Sequence, residues 1–406
     1  MATADQASKA RTIIFLCVLA ALCEGIDLQA AGLVAAGIRP EFHPTPDQLG
    51  RFFSASTMGL FLGALIGGRI ADRIGRRLVL IVSIALFGLF SLLTASATGM
   101  GTLTLWRLLT GLGLGGSFPI LITMVAESSA PQRRSANVAL AYAGTPLGGG
   151  LISVVAMLLP PSQWRTIFII GGIVPLLLAP IMMAKLGESP EFARLGANAP
   201  APETTKVAAG SFLAILGEGR AGRTLLLWVS FFLGLLTLYL LLNWLPTLMV
   251  DNGLTGTQAS AVQIAFNVGG ALAALLIGNL LEGRYRNVSI LITFIAVPFL
   301  LLALANTGAV FLTSVLVVTA LGCAVLAVQA FLYATAPACY PTLIRGVGVG
   351  AAIAMGRIGS IVGPTLGGWL KAAGHGPSRL LIDLIPIAVL GSLAALVLAW
   401  KMRRRT

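Results

Sequence analysis

Four charged residues stand inside long apolar runs of this 406-residue chain: Glu24, Asp27, Arg107 and Arg357. A hydrocarbon interior penalises an ionised side chain by about 2.5–3.5 kcal/mol on insertion scales, so each of the four is a candidate for a working role. Glu24 and Asp27 are three residues apart and share a helix face. If a helix starts near residue 12, Asp27 lies about 22 Å along it at 1.5 Å per residue. A helix descending from the opposite side near residue 103 places Arg107 about 6 Å down, which leaves about 24 Å of a roughly 30 Å core below it. The two are therefore predicted to share a depth. Apolar surroundings favour a neutral acid and a nearby guanidinium favours the carboxylate, so a small change of geometry at such a pair moves a proton on or off. Asp27, with Glu24 in support, is expected to take up a proton that Arg107 helps to release. The alternatives are a static ion pair or a polar brace between helices, with one of the two acids a spectator.

Arg357 has no acidic residue in its own apolar run or within the four apolar runs from 223 to 336. A guanidinium is planar, always charged and matched to a carboxylate, so an anionic cargo is expected, with bonding to backbone carbonyls as the alternative. A small organic anion would also need apolar walls and a few hydrogen-bonding groups. Candidates are Tyr239, Asn243 and Trp244, then Gln263 and Asn267, then Gln329 and Tyr333. Tyr239 and Asn243, Gln263 and Asn267, and Gln329 and Tyr333 are each four apart, so each pair points one way. Polar residues also glue membrane helices together, and Trp244 near the end of its run suits an interfacial belt.

A third group lies between runs, at Gly68-Arg-Ile-Ala-Asp72-Arg73-Ile-Gly75-Arg76-Arg77. An acid among four arginines suggests an ion-pair latch with neighbouring helix ends, for which Glu127, Arg133 and Arg134 are plausible partners; the alternative is a purely topological role. A weaker copy, Gly278-Asn-Leu-Leu-Glu282-Gly-Arg284-Tyr-Arg286, follows 210 residues later, with Arg345 beyond it. The chain is thus read as two related halves.

These residues must be carried by membrane helices. The chain is 57% hydrophobic and 10% charged, with a mean hydropathy of +0.93, whereas soluble chains carry roughly 25% charged residues. At roughly 20 apolar residues per crossing, twelve spans are expected, at about 12–38, 52–71, 78–98, 103–126, 137–159, 164–186, 223–250, 258–281, 288–305, 310–336, 346–372 and 380–402. Lipid cannot satisfy backbone polar groups, so runs of this length must be helical. The fold class is an all-α membrane protein of two six-helix halves, 1–186 and 222–406, joined by a cytoplasmic linker at 187–221 that is rich in Ala and Pro.

The net charge of +13 does not mark a nucleic-acid surface. With the N-terminus inside, 20 basic residues fall in cytoplasmic segments and only Arg39, Arg51, Arg165, Lys371 and Arg379 outside. That asymmetry is the positive-inside rule, with both termini cytoplasmic and the Lys401-Met-Arg403-Arg-Arg405 tail an anchor on an anionic leaflet. The first apolar run is too long for a signal h-region and flows into Glu24 and Asp27, so it is read as the first span. Cys17, Cys23, Cys323 and Cys339 lack metal-ligand spacing and read as small core residues, and neither His43 nor His375 shows a ligand partner nearby in sequence. No metal or other cofactor is expected. The run Gly111-Leu-Gly113-Leu-Gly115-Gly116 lies inside a span rather than after a strand, so it serves close helix contact, not a nucleotide. Gly144, Pro146, Gly148 and Gly149, like Gly363, Pro364, Gly367 and Gly368, are expected to bend helices at a moving interface. No Gly-x-x-x-x-Gly-Lys-Ser/Thr, His-Glu-x-x-His or Gly-x-Ser-x-Gly occurs, which argues against ATP use and against an enzyme.

Residues 68–77 match in full the loop signature of the major facilitator superfamily, and Arg107, Gly111, Gly113, Gly115 and Pro119 match a second one. Glu188-Ser-Pro190-Glu191-Phe192 is similar to the family's Pro-Glu-Ser-Pro-Arg element, with Gly187 and Glu191 as departures. Within the superfamily the chain resembles the aromatic-acid:proton symporters, in particular those for 3-(3-hydroxyphenyl)propionate. The residues that carry this are Glu24-Gly-Ile-Asp27-Leu-Gln-Ala-Ala-Gly, Asn243-Trp244-Leu-Pro246, and Gly356-Arg357-Ile-Gly359 with Gly363-Pro364. The resemblance implies proton-gradient-driven uptake of a small aromatic carboxylate by a monomer in the bacterial inner membrane. It also implies a latch at 68–77 that holds the outward-open state. An exporter or antiporter of drugs or other organic compounds is the alternative; its usual Gly-Pro-x-x-Gly-Gly element stands at 363–368, not in the fifth span. Import of another organic acid or a sugar is a further alternative.

Overall fold

The structure, a computed structural model, describes residues 2–188, 214–217, 219–282, 286–341 and 344–403. Most of the linker expected over 187–221 therefore lies outside the described residues. Among those described there are twelve α-helices: α1 Ala2–Phe42, α2 Pro46–Ile74, α3 Arg76–Ala95, α4 Met100–Ser128, α5 Arg134–Leu158, α6 Trp164–Lys185, α7 Ala221–Asp251, α8 Gly256–Glu282, α9 Arg286–Ala305, α10 Phe311–Thr335, α11 Arg345–Ala372 and α12 Pro377–Arg403. Ten of the twelve are long and apolar enough to cross a membrane, and α9 carries a shorter apolar stretch, Leu291–Ala305. The two largest departures from the expected starts are in the first unit. α1 begins at Ala2 rather than near 12 and α2 at Pro46 rather than near 52, because helices outrun the apolar windows that locate them.

The helix boundaries have local causes. At the start of α2, Thr45 Oγ1 accepts from the Gln48 N–H at 3.3 Å while Gln48 Oε1 accepts from the Thr45 N–H at 2.9 Å. This reciprocal cap satisfies two otherwise orphaned donors. The same box recurs at α8, where the Thr255 N–H reaches Gln258 Oε1 at 3.0 Å and the Gln258 N–H reaches Thr255 Oγ1 at 3.3 Å. Gly75 separates α2 from α3 at φ 104°, a left-handed conformation that a side chain would strain.

The chain divides into two compact units, Met1–Ala201 and Pro202–Thr406. Within the first, α2 packs most extensively on α4, α1 on α5, and α3 on both α4 and α6. Within the second, α8 packs on α10, α7 on α11 and α12, and α9 on α12 and α10. Adding six to each helix number of the first unit reproduces the packing of the second.

Small residues set these contacts. A Cβ on Gly115 of α4 would lie 2.1 Å from the Leu60 carbonyl oxygen of α2, and one on Gly148 of α5 would lie 2.0 Å from the Leu22 oxygen of α1. The glycine run of α4 is thus a seat for α2, as its place inside an apolar span suggested. The Gly/Pro cluster of α5, expected to bend, also seats a neighbouring helix. Such approach is how helices gain packing where lipid competes equally for apolar side chains.

Candidate functional site

In the first unit, α1 and α4 bring Asp27 and Arg107 together, both fully buried. Arg107 Nη1 donates to Asp27 Oδ1 and Oδ2, each at 2.8 Å, and Nη2 donates to the Asp27 backbone oxygen at 3.1 Å. The guanidinium carbon also lies 5.5 Å from the centroid of the Phe168 ring on α6. Three elements therefore hold the cation. Glu24 is buried one turn away on α1. Between the two acids, Gly25 abuts α5 so closely that a Cβ would meet the Thr145 oxygen at 1.9 Å, which fixes how far α1 stands from α5. A buried acid and guanidinium in direct contact form a unit whose charge balance changes when a proton arrives.

In the second unit, Arg357 on α11 donates from Nη1 to the Tyr239 hydroxyl of α7 at 3.1 Å. Tyr333 of α10 lies within electrostatic reach of both, and its ring meets Phe231 edge-on at 5.2 Å. Gly356, next to the arginine, has Leu235 and Phe231 of α7 against its α-carbon, where a Cβ would lie 2.5 Å and 3.2 Å from them. That contact presses α11 onto α7 and delivers the guanidinium to the tyrosines.

The remaining candidates are distributed differently. Trp244 is fully buried and its Nε1–H donates to the Pro364 oxygen at 2.8 Å, above Gly367. This ring braces α7 against α11, and its burial displaces the interfacial-belt reading. Asn243 donates to the Tyr239 oxygen at 2.8 Å and Asn267 to the Gln263 oxygen at 2.9 Å, each four residues back in its own helix. Gln263 is fully buried on α8. Gln329 is 5% exposed, and neither atom of its amide has a hydrogen-bond partner among the described residues.

At the opposite end of the first unit from Phe42 and Trp164, the segment 68–77, which is not a loop but the end of α2, Gly75 and the start of α3, is tied to two helix ends. Arg76 pairs with Glu127 at the end of α4. Glu188, just past α6, accepts from the backbone N–H groups of Arg76 at 3.2 Å and Arg77 at 3.1 Å, capping α3. Arg77 Nη2 reaches the Met183 oxygen at 2.5 Å. Arg73, Arg133, Arg134 and Arg345 are exposed. The side chains of Asp72 and Glu282, and all of Arg284, lie outside the described residues.

Several interactions escaped the sequence reading. The sequence places Glu188 in a motif, and the structure makes it the cap of α3. Arg165 forks onto Glu41 at 2.7 and 2.6 Å, Trp164 donates to the same carboxylate at 2.8 Å, and Arg165 stacks 4.3 Å from the Trp164 ring centroid. Lys371 pairs with Asp251. His375 contacts Asp383 at 2.5 Å, eight residues on and beside Arg379. The only sequence signal for these was a charge at each helix end.

The family model for the Major Facilitator Superfamily matches residues 17–338. The chain is 39% identical to a 3-(3-hydroxy-phenyl)propionate transporter of Escherichia coli (strain K12), over 99% of this chain and 96% of the relative. It is 34% identical to a 4-hydroxybenzoate transporter of Pseudomonas putida, over 95% of this chain and 91% of the relative. Among solved structures it is similar to a D-xylose-proton symporter with a TM-score of 0.75 at 19% identity, over 94% of this chain and 96% of that one, a likeness of fold alone. The chain belongs to the Major Facilitator Superfamily.

Proposed function

We propose that this chain is a secondary active transporter, not an enzyme, that carries an aromatic carboxylate into the cell together with a proton. It acts as a monomer of twelve crossings in a bacterial inner membrane, both termini cytoplasmic, with alternating access between its two halves. The observation that carries the reading is the fully buried Asp27–Arg107 contact at 2.8 Å, an ionisable unit held by three helices of a transporter fold. The relatives' named substrates, hydroxyphenylpropionate and hydroxybenzoate, supply the substrate class. The Arg357–Tyr239 pair supplies a cation and a phenol suited to its carboxylate. In this scheme, protonation of Asp27 loosens Arg107, and the change of charge permits the halves to rearrange. Part of the latch is Arg76 with Glu127, while Glu188 fixes the start of α3 beside it.

The test is uptake of labelled 3-(3-hydroxyphenyl)propionate into proteoliposomes with and without an inward proton gradient. Gradient-driven accumulation is expected in the native protein. Asp27→Asn abolishes accumulation, and Arg357→Ala raises KM by roughly tenfold or more, the loss of one charge-assisted hydrogen bond of about 1.5–3 kcal/mol. An Arg357→Ala protein that transports normally removes that residue from the site. Absence of uptake for a panel of aromatic acids removes the substrate class.

A further inference from the structure

Gln329 opens a question that the carboxylate site does not answer. Gln329 borders a recess of about 30 Å³ in the second unit, lined by residues of α7, α9, α10 and α12. A cavity needs roughly 10–15 Å³ on this measure to hold one water. That volume suits a small polar group rather than a whole ring. Gly234 makes the room, since a Cβ there would lie 2.9 Å from the amide nitrogen.

The chemistry of the lining is selective. Ser230, Thr237 and Ser392 also border the cavity, and each hydroxyl donates its hydrogen to a backbone oxygen, at 2.7, 2.9 and 2.9 Å. Their oxygens are left as acceptors. The amide of Gln329 adds an acceptor and two donors. A carboxylate brings acceptors only, so it could take the donors of the Gln329 amide but nothing from the three hydroxyl oxygens. A bare cation would meet no carboxylate in this lining and would bear an uncompensated desolvation cost. A hydroxyl group both donates and accepts, and fits both requirements.

Gln329 and Tyr333 are one turn of α10 apart, about 6 Å, on one face. Tyr333 in turn lies within the field of Arg357. The recess and the cation for a carboxylate are therefore joined through α10, on which Gln329 and Tyr333 stand one turn apart. We propose that the Gln329 recess, made by Gly234 and lined by Thr237, Ser230 and Ser392, reads the ring hydroxyl of a hydroxylated aromatic carboxylate. This rests on the transport reading above and assigns the residue that sets preference among aromatic acids.

The experiment compares KM in proteoliposomes for 3-(3-hydroxyphenyl)propionate and for 3-phenylpropionate, which lacks the hydroxyl. A site built to bond a substrate hydroxyl discriminates strongly against the analogue without it, so the native protein is expected to favour the hydroxylated acid by at least roughly tenfold. In Gln329→Leu that ratio falls towards one. Thr237→Val, which keeps shape and removes one acceptor, lowers it part of the way and serves if Gln329→Leu does not fold. A native ratio near one, or a ratio unchanged in the folded variants, overturns the proposal and leaves the recess to water alone. If the native protein takes up neither acid, the transport reading itself fails, an outcome distinct from uptake without discrimination.

Discussion

Asp27 and Arg107 meet at zero exposure, and the energetics of such a pair decide what it is for. Removing one partner of a buried ion pair leaves the other charge uncompensated and costs about 3–5 kcal/mol, whereas replacing both with apolar residues of similar volume is often neutral. Arg107→Met is accordingly expected to lower stability by about 3–5 kcal/mol, with Asp27 left among α1, α4 and α6. The double replacement Asp27→Leu with Arg107→Met is expected to recover most of that loss, measured as thermal unfolding in detergent. Recovery of stability without recovery of gradient-driven uptake marks the pair as the coupling unit. If the double variant also accumulates substrate against its gradient, the pair is a brace and the proton is carried elsewhere, with Glu24 one turn away on α1 as the next acid to test.

Glycine spacing governs the elements that hold these residues. Gly115 sits where α4 touches α2, and a Cβ there would come within 2.1 Å of the Leu60 oxygen, a backbone atom that cannot swing aside. Gly101, at the start of the same helix, has nothing within 4 Å of where its Cβ would stand. Gly115→Ala is expected to force α2 and α4 apart and to cost at least about 1–3 kcal/mol, the usual penalty for overpacking. Gly101→Ala is expected to be neutral or slightly stabilising, because alanine is the better helix former by about 1 kcal/mol. Equal thermal stabilities for the two variants would remove the steric account of the α2–α4 contact.

The same contrast explains what the sequence could tell. The depth of Asp27 and Arg107 was legible because rise per residue is fixed at 1.5 Å, so two helices running in opposite senses can be laid side by side on paper. Rotation about the helix axis was not legible. Tyr239 and Trp244 stand five residues apart on α7, yet one reaches Arg357 and the other braces Pro364. Apolar residues on every side of α7 give no period from which to read its facing. The paired capping boxes at Thr45 and Thr255 were legible in principle, at the same 210-residue interval as the two glycine-acid-basic segments, and they strengthen the case for an internal repeat. Glu41 with Arg165, and Lys371 with Asp251, join residues more than a hundred positions apart, and only packing brings them into contact.

At the scale of the whole molecule, the open physical question is which way it sits in the bilayer. Basic residues near an anionic leaflet contribute about 1 kcal/mol each, so the 20 basic residues assigned to cytoplasmic segments outweigh the five assigned outside by a wide margin. In that orientation α4 ends inside the cell and α12 starts outside. Arg133, exposed just before α5, is then cytoplasmic, while Arg379, with 65% of its side chain exposed in the first turn of α12, faces outward. The check uses a background in which Cys17, Cys23, Cys323 and Cys339 are replaced, with Arg133→Cys or Arg379→Cys added singly. A membrane-impermeant maleimide is expected to label Arg379→Cys in intact cells and Arg133→Cys only after the membrane is opened. The reverse pattern would invert the topology and place the Arg76–Glu127 ion pair at the outer face. It would then be the Glu41–Arg165–Trp164 cluster, at the other end of the first unit, that stood at the cytoplasmic gate.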